Sequence, residues 1–498
     1  MKLEDFLAKT YGYNPDFKSE MTTYINQWKS WYEGNVKSFH NYYVYNGNRK
    51  VRKKRYTMNM AKVSCEDWSD ILWSEKCKIS MKDTESQKKF DNLVNKLNIY
   101  EAINQILEKA GAMGTCGAVV SAYDLIENED TLEIDTTNAK MRLDIVNIDW
   151  IYPISWDNNG VFECAFGSEK YKNGVKYVVC SVHKLDDNGN YVIYNHLFRD
   201  MQGSLTEITD EQETVAVYNT GSNVKWFSIF KPCLTNNISS NSPFGISYYA
   251  NAIDNLKTVD TCFDSLQTEI NEGKRRTFVS ASLMNYDDCT QKLTFDPNDT
   301  TVYRLPKGAN SDTLIQDNTT ALRTNDIINA LNTALNIFGN AVGFGENHYH
   351  FDGTNLSTAT AVISSNSKLF RRKKKLEIGY ESAVYDLINA ICYVASKYNI
   401  EKIDTADMAI QFDDSIIEDK EAESVRASRE LAQGVISKAE YRMKIFGETQ
   451  EIAEQAIKKI AEEDNEIDKL LNDNEEDNTN SNEQDGKKEV NDEEDSNK

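Results

Sequence analysis

Few residues in this 498-residue chain have the types and spacing that chemistry requires. His348, His350 and Asp352 stand close enough to suggest a metal site. Their spacing does not match a helical ligand pair, and the chain holds only five histidines, so polar loop side chains are the simpler reading. Asp413-Asp414 resembles a catalytic carboxylate pair, but no matching partner residues accompany it, and a turn or subunit contact fits better. The run GAMGTCGAVV (111–120) is glycine-rich but has no following Lys-Ser/Thr to hold a phosphate. It reads as a close-packed turn into a strand. No P-loop, HExxH or GxSxG motif occurs. The nine cysteines are scattered and odd in number, with no CxxC pair. They fit reduced, buried thiols better than a disulfide frame or a zinc site. On these grounds no catalytic residue, cofactor-binding residue or metal ligand is assigned.

Two cationic clusters invite a nucleic-acid reading. Arg371-Arg372-Lys373-Lys374-Lys375 lies in a helical pattern, where consecutive residues point all around the axis and cannot form one stripe. An ion-paired or solvated helix segment is the plainer reading. Lys274-Arg275-Arg276 follows a helix, where cations are favoured by the helix dipole; contact with phosphate or with a partner protein is the alternative. The charge balance restrains both ideas. The chain carries −23 formally, from 79 acids and 56 bases. Residues 461–498 hold 16 acids and 4 lysines, a net of −12, which leaves −11 for the rest. A protein built to grip nucleic acid is usually basic.

The elements that must position these residues read as α+β in two to four domains. Trp28, Trp31 and Tyr32 belong to an early helix ending near Gly34. Glu66 to Glu75 and Phe90 to Lys109 read as two more. Then come strands: GAVVSAYD, RLDIVNIDWIYPI and VFECAFGS. Tyr177–Leu185 and Tyr191–Phe198 alternate as a hairpin around Asn188-Gly189. Residues 245–272 are strongly amphipathic, with Ile246, Tyr249, Ile253, Leu256, Val259, Phe263, Leu266 and Ile270 every three or four positions. Short strand-like pieces fill 273–320. Helical periodicity then returns at Ile328, Leu331, Leu335 and Phe338. An antiparallel helix pair carrying a small β-rich domain explains this order. The glycine-bearing stretch 341–356 reads as a loop. A long helix from Ser357 to about Tyr398, a strand DMAIQF, and two or three short helices over 418–460 follow. The last 38 residues are too polar to repay folding entropy and are expected to be disordered. No apolar run is long enough to span a membrane, and the first residues do not read as a signal peptide.

Five stretches, in order, resemble the portal protein family of tailed bacteriophages that infect Gram-positive bacteria. They are WKSWYEGNVKSFHNY (28–42), MNMAKVSCEDWSDILWSEKCKI (58–79), the long segment WFSIFKPC…NEGKRR (226–276), VGFGENHYHFDGTNLSTATAVISSNSKLFRRKKK (342–375), and FDDSIIEDKEAE (412–423) with GVISKAEYRMKIFGE (434–448). The resemblance implies a portal fold. Residues 1–240 would form an α/β wing, completed by the long helix and strand of 357–417. Segments 241–272 and 321–340 would be a two-helix stem, 273–320 a clip, 341–356 a tunnel loop, 418–460 a helical crown, and 461–498 a disordered acidic tail.

It also implies a function and partners. The chain would be a dodecameric ring subunit at the portal vertex of the virion, assembled in the host cytoplasm. The ring would carry double-stranded DNA during genome packaging and ejection. Terminase, major capsid protein, scaffold and a head–tail connector would be its partners, with no membrane and no cofactor. The energy for packaging would come from another protein. The DNA-facing candidates are Gly343, Gly345, Asn347, His348, Tyr349, His350, Thr354 and Asn355. Lys274, Arg275 and Arg276 are the candidates facing the clip or terminase. Twelve stem helices at about 10 Å spacing make a ring about 38 Å across its centre line. Removing one helix width of about 10 Å leaves room for a duplex. Another head–tail adaptor ring, or a packaging-associated nuclease, is the competing reading.

Overall fold

The computed structural model describes residues 1–45, 47–123, 126–127, 134–135, 139–201, 203–208, 215–273, 276–287, 292–294, 302–305, 314–318, 320–351, 359–405, 408–413, 420–446, 450 and 452–460. The chain divides into two compact units, Met1–Asp413 and Asp414–Lys498.

The largest sheet of the first unit is antiparallel, with Ser204–Ile208, Tyr191–Met201, Val175–Leu185, Gly160–Lys172 and Ile151–Asp157 in spatial order and Val217–Asn219 also pairing with Tyr191–Met201. The expected hairpin is there, in the register Leu185↔Tyr191 to Tyr177↔Arg199. Its loop is wider than a two-residue turn. Asp186 accepts from the backbone N–H of both Asn188 and Asn190, and Gly189 takes the positive φ of 80°. Alternation buries Val178, Cys180, Val182 and Phe198 on one face, under Leu3, Phe6 and Leu7 of the Leu3–Tyr11 helix.

RLDIVNIDWIYPI does not form one strand. A single 3₁₀ turn, Ile148–Trp150, divides it into Lys140–Asn147 and Ile151–Asp157. The first half joins a separate sheet, between which and Phe227–Phe230 lies Cys116–Tyr123. The Phe90–Lys109 helix likewise resolves into two, Thr84–Leu97 and Ile99–Met113. Asn98 interrupts them at φ 48°, a left-handed conformation that asparagine tolerates better than most residues. These helices share one core with Asp16–Tyr32, Met60–Leu72 and the long Ala359–Lys397 helix, around Trp28, Trp68, Phe90, Ile106, Tyr380 and Leu387.

The amphipathic stretch from 245 is helical only from Ile253 to Glu272, after a 3₁₀ turn at Ala250–Ala252. Phe244, Ile246, Tyr248 and Tyr249 are buried in non-helical backbone instead. Three bonds fix that segment to the end of the Ile99–Met113 helix: Tyr248 N–H and Ser247 Oγ donate to Gly111 O, and Gly245 N–H donates to Thr115 Oγ1. Gly111 and Gly114 make this approach possible. A Cβ on Gly111 would lie 2.1 Å from the Tyr248 ring, and one on Gly114 2.5 Å from Gly245 O. GAMGTCGAVV is therefore a packing motif.

Helix Ile253–Glu272 packs against Thr324–Val342. The C-terminal Glu269 of the first accepts two bonds from the Arg323 guanidinium and one from its N–H, at the start of the second, so the pair is antiparallel. Leu256, Val259 and Leu266 are buried on one helix, and Leu331, Leu335 and Phe338 on the other. Between the helices lies a small β-rich part. Thr277–Val279 pairs parallel with Val302–Arg304 and antiparallel with Ile315–Asp317, and Asn285–Asp287 pairs with Lys292–Thr294. The DMAIQF segment pairs its Ala409–Gln411 with Lys78–Ser80.

In the second unit, Lys420–Ala432 and Lys438–Phe446 are helices, and 452–460 is helical. Glu430 sits between Arg426 at 2.9 Å and Lys444 at 3.4 Å.

Candidate functional site

The segment that leaves the helix pair begins with a backbone reversal. Gly343 has φ 104° and Gly345 φ 92°, conformations that only glycine adopts cheaply. The N–H groups of Gly343 and Phe344 both donate to Gly339 O, which satisfies the helix end. A Cβ on Gly343 would meet Arg372 Cγ at 2.8 Å.

An aromatic stack then holds the segment. Phe344 lies on Trp68 at 4.6 Å between centroids, and His348 lies on Phe344 at 4.4 Å and 11° between planes. Tyr349 meets both Phe344 and His348 edge-on. Its hydroxyl donates to Asp67 at 2.7 Å, and Trp68 Nε1 donates to Val342 O at 3.3 Å. Burial pushes the Tyr349 phenol up, and Asp67 adds to that shift. Burial lowers His348, with Asp67, 4.0 Å away, opposing the shift.

Asparagines on the preceding helix do the rest. Asn336 and Asn347 exchange two bonds, side chain to side chain at 3.1 Å and Asn347 N–H to Asn336 Oδ1. Phe351 N–H donates to Asn332 Oδ1. Lys368 Nζ donates to Asn340 O at 2.7 Å. Asn332, Asn336 and Asn340 recur every four positions, so they share one helix face. That spacing is readable in NTALNIFGN (332–340). Asp67 and Trp68 were missed, because nothing local marks a residue whose partner is 282 positions away.

Of the loop candidates, Gly343 and Gly345 form the reversal. Asn347 is exposed and His348 keeps an exposed edge, whereas Tyr349 and His350 are half-buried. Tyr349 is thus an anchor and not a free polar wall. His350 Nε2 is buried without a hydrogen-bond partner. Thr354 and Asn355 lie outside the described residues, as does Asp352. Among the described residues no group of three or more His, Cys, Asp or Glu could hold a metal ion.

The basic run is mostly inward or paired. Lys373 is buried and donates to the Glu377 carboxylate and the Asp413 carbonyl. Lys374 lies 3.2 Å from Glu377. Arg372 packs against Gly343, and burial lowers its pKa. Only Arg371 and Lys375 are exposed. At the end of the first paired helix, Arg276 is exposed and donates to Glu272 O at 3.1 Å. Lys274, Arg275 and Asp414 lie outside the described residues, as do residues 461–498. Among the described cysteines none is disulfide-bonded. Cys233 is exposed and Cys262 half-buried, and the other six are buried.

No helix among the described residues is long and apolar enough to cross a membrane. A family model described as phage portal protein, SPP1 Gp6-like, matches residues 16–470. No curated protein matches the chain.

Proposed function

This chain belongs to the phage portal protein family, SPP1 Gp6-like, and from that premise we propose that its copies close into the ring at the portal vertex that conducts double-stranded DNA. In this reading the antiparallel helices Ile253–Glu272 and Thr324–Val342 are the stem, and the β-rich part between them is the clip. The anchored segment from Gly343 is the tunnel loop. The helices after Asp414 are the crown, and the sheets and long helix form the wing. Terminase docks at the clip end, near Arg276, with the connector on the same ring. Capsid and scaffold surround it.

The observation that carries the reading is the family match over 16–470 on a chain whose helix pair ends in a rigidly held glycine reversal. A further observation favours a neighbouring subunit beside the pair. Ile270, Leu322 and Ile337 are 49%, 46% and 53% exposed, apolar surface along the pair that a neighbouring subunit would cover. The loop's polar tip has no lysine or arginine and one exposed carboxylate, Glu346, which suits a wall that touches a sliding polyanion without holding it, since each bound phosphate adds counterion-release affinity.

Electron micrographs and native mass spectrometry of the purified chain test this. Closed rings of a dozen or so copies are expected. A strict monomer at micromolar concentration and moderate salt overturns the ring reading. Incubation with plasmid and magnesium addresses the nuclease alternative, and cleavage would favour it.

A further inference from the structure

A second surface stands away from the loop. Residues 49–55 read RKVRKKR, six cations in seven positions, and no acid occurs between Glu33 and Glu66. In a chain of net charge −23 this is a local reversal of sign. The structure folds it into a hairpin of Asn41–Tyr45 with Lys50–Lys54, in the register Asn41↔Lys54, Tyr43↔Arg52 and Tyr45↔Lys50. Partners directly opposite in an antiparallel pair share a face. Asn41, Tyr43, Tyr45, Lys50, Arg52 and Lys54 therefore lie on one side, and Tyr42, Val44, Val51 and Lys53 on the other.

The second side is held to the protein. Lys53 pairs with Glu272 at 3.0 Å, and Tyr42 donates to Asp264 at 3.1 Å. Arg55, just beyond the strand, lies over the Phe39 and Tyr42 rings, and Tyr56 N–H donates to Asp264. Asp264 and Asp260 fall one turn apart on the Ile253–Glu272 helix, and Asp260 receives His40 and Met58 N–H. This acidic row is a clamp, so the hairpin has a fixed orientation.

Beyond Asn41, which donates to Lys37 O, the first side faces solvent. Tyr43 and Tyr45 are 68% and 66% exposed. Lys50, Arg52 and Lys54 are exposed as well, and Arg52 donates to Asn41 Oδ1 at 3.0 Å. Two bare tyrosine rings in a lattice of cations serve neither the core nor solubility.

We propose that this face binds nucleic acid, with Lys50, Arg52 and Lys54 on phosphates and Tyr43 and Tyr45 as stacking platforms for unpaired bases. Alternate strand residues repeat at about 6.8 Å on one face, so Lys50, Arg52 and Lys54 form a row along one strand. The cations thus meet successive parts of one backbone, and the two rings accept bases spread apart. Stacking on exposed aromatic rings beside cations is how proteins hold single strands without reading sequence. An acidic protein surface would satisfy the cations but leave the two rings without a role. The site is separate from the segment at Gly343 and stands whether or not that segment lines a channel.

The test is fluorescence anisotropy with the full chain and labelled oligonucleotides of about a dozen nucleotides, single-stranded and duplex, across a salt series. Single-strand binding is expected at low salt, with a log–log salt slope of about −2 for three phosphate contacts. Lys50→Glu/Arg52→Glu/Lys54→Glu should abolish it, and Tyr43→Ala/Tyr45→Ala should weaken the single strand about tenfold or more while sparing any duplex binding. These side chains face solvent, so circular dichroism and melting should stay unchanged in both variants. Asn347→Lys should leave this binding as it is. No binding at low salt overturns the proposal, as does binding indifferent to the charge reversals. Polyglutamate that competes equally well, with the tyrosine variant unaffected, assigns the face to an acidic protein and also overturns it.

Discussion

The Tyr349 hydroxyl donates to Asp67 at 2.7 Å, tying the segment after the helix pair to a helix 282 positions earlier in the chain. That bond, with the Trp68–Phe344–His348 stack, makes the turn a rigid feature of the fold. Tyr349→Phe keeps the ring and removes the donor. Asp67 is partly exposed, so water replaces much of what is lost. The expected cost is about 1 kcal/mol, read by chemical denaturation, with faster limited proteolysis near 345–351. An unchanged proteolysis pattern would show that the stack alone fixes the turn.

Gly114→Ala should be more damaging than its one methyl suggests. Gly114 has φ 81°, and its Cβ would lie 2.5 Å from a backbone oxygen of Gly245. Neither the conformation nor the contact can be relieved by a rotamer. A loss of about 2–4 kcal/mol is expected, from overpacking and a left-handed residue together. Gly12→Ala, at φ 74° with nothing within 4 Å, should cost only about 1–2 kcal/mol. Equal melting shifts for the two would mean that the Gly245 contact relaxes.

The periodic parts of the fold were legible because each is decided locally. Alternation in 177–198 gave the hairpin, and apolar spacing gave the long helix that spans Ala359–Lys397. Two readings failed where tertiary packing overrode period. At 245–249 the apolar residues suit a helix, yet Tyr248 and Ser247 bond to Gly111. At 148–150 one turn sends a continuous apolar run into two sheets. The loop was legible as a loop, but its anchors were not, because Asp67 and Trp68 are defined by three-dimensional proximity. The 41–54 hairpin had a local mark too, Asn46-Gly47 between a tyrosine-rich run and a basic one, although neither run alternates.

His183 carries a pH dependence. It is fully buried between Phe166 and Phe227, and neither ring nitrogen has a partner among the described residues. Burial lowers its pKa from 6.5 to about 3. The folded state therefore holds it neutral, while the unfolded chain takes up a proton below about pH 6.5. Its share of stability is whole above that value and falls with pH, by up to about 1.4 kcal/mol per unit, until the folded value is reached. His183→Phe should flatten the urea-denaturation stability profile between about pH 6.5 and pH 4 by close to one proton. Parallel profiles would mean that His183 finds a proton acceptor in the folded state.

Lys373 shows what the basic run does. It is 1% exposed, and Glu377 is 4% exposed. Lys373→Met takes its ammonium from that carboxylate and leaves Lys374, 3.2 Å away. Breaking a buried pair costs about 3–5 kcal/mol. Lys373→Met/Glu377→Leu should recover much of it, since a well-packed apolar pair is often neutral. Lys375→Ala, at an exposed position, should change melting little. A strong effect of Lys375 on assembly with none on melting would instead mark a subunit contact.

Asn347 tests the channel reading most directly. It is exposed at the tip of the segment, and what Asn336 receives from its backbone is an N–H that any non-proline residue supplies. Asn347→Lys therefore keeps that backbone bond, and gives up the exposed side-chain bond from Asn336 Nδ2 to Asn347 Oδ1. Its φ of 61° costs a longer side chain about 1–2 kcal/mol, so Asn347→Gln is the matched control, with similar strain and no charge. If a ring of such loops surrounds passing DNA, the lysine variant places a collar of new cations at the phosphates, and each contact adds salt-sensitive affinity. Assembly should be unchanged in both variants. Packaging should slow or stall with lysine and proceed with glutamine, and the lysine defect should ease as salt rises, because screening shortens the reach of exposed charges. Normal packaging at low salt by rings that carry lysine at Asn347 would show that this segment does not face the DNA.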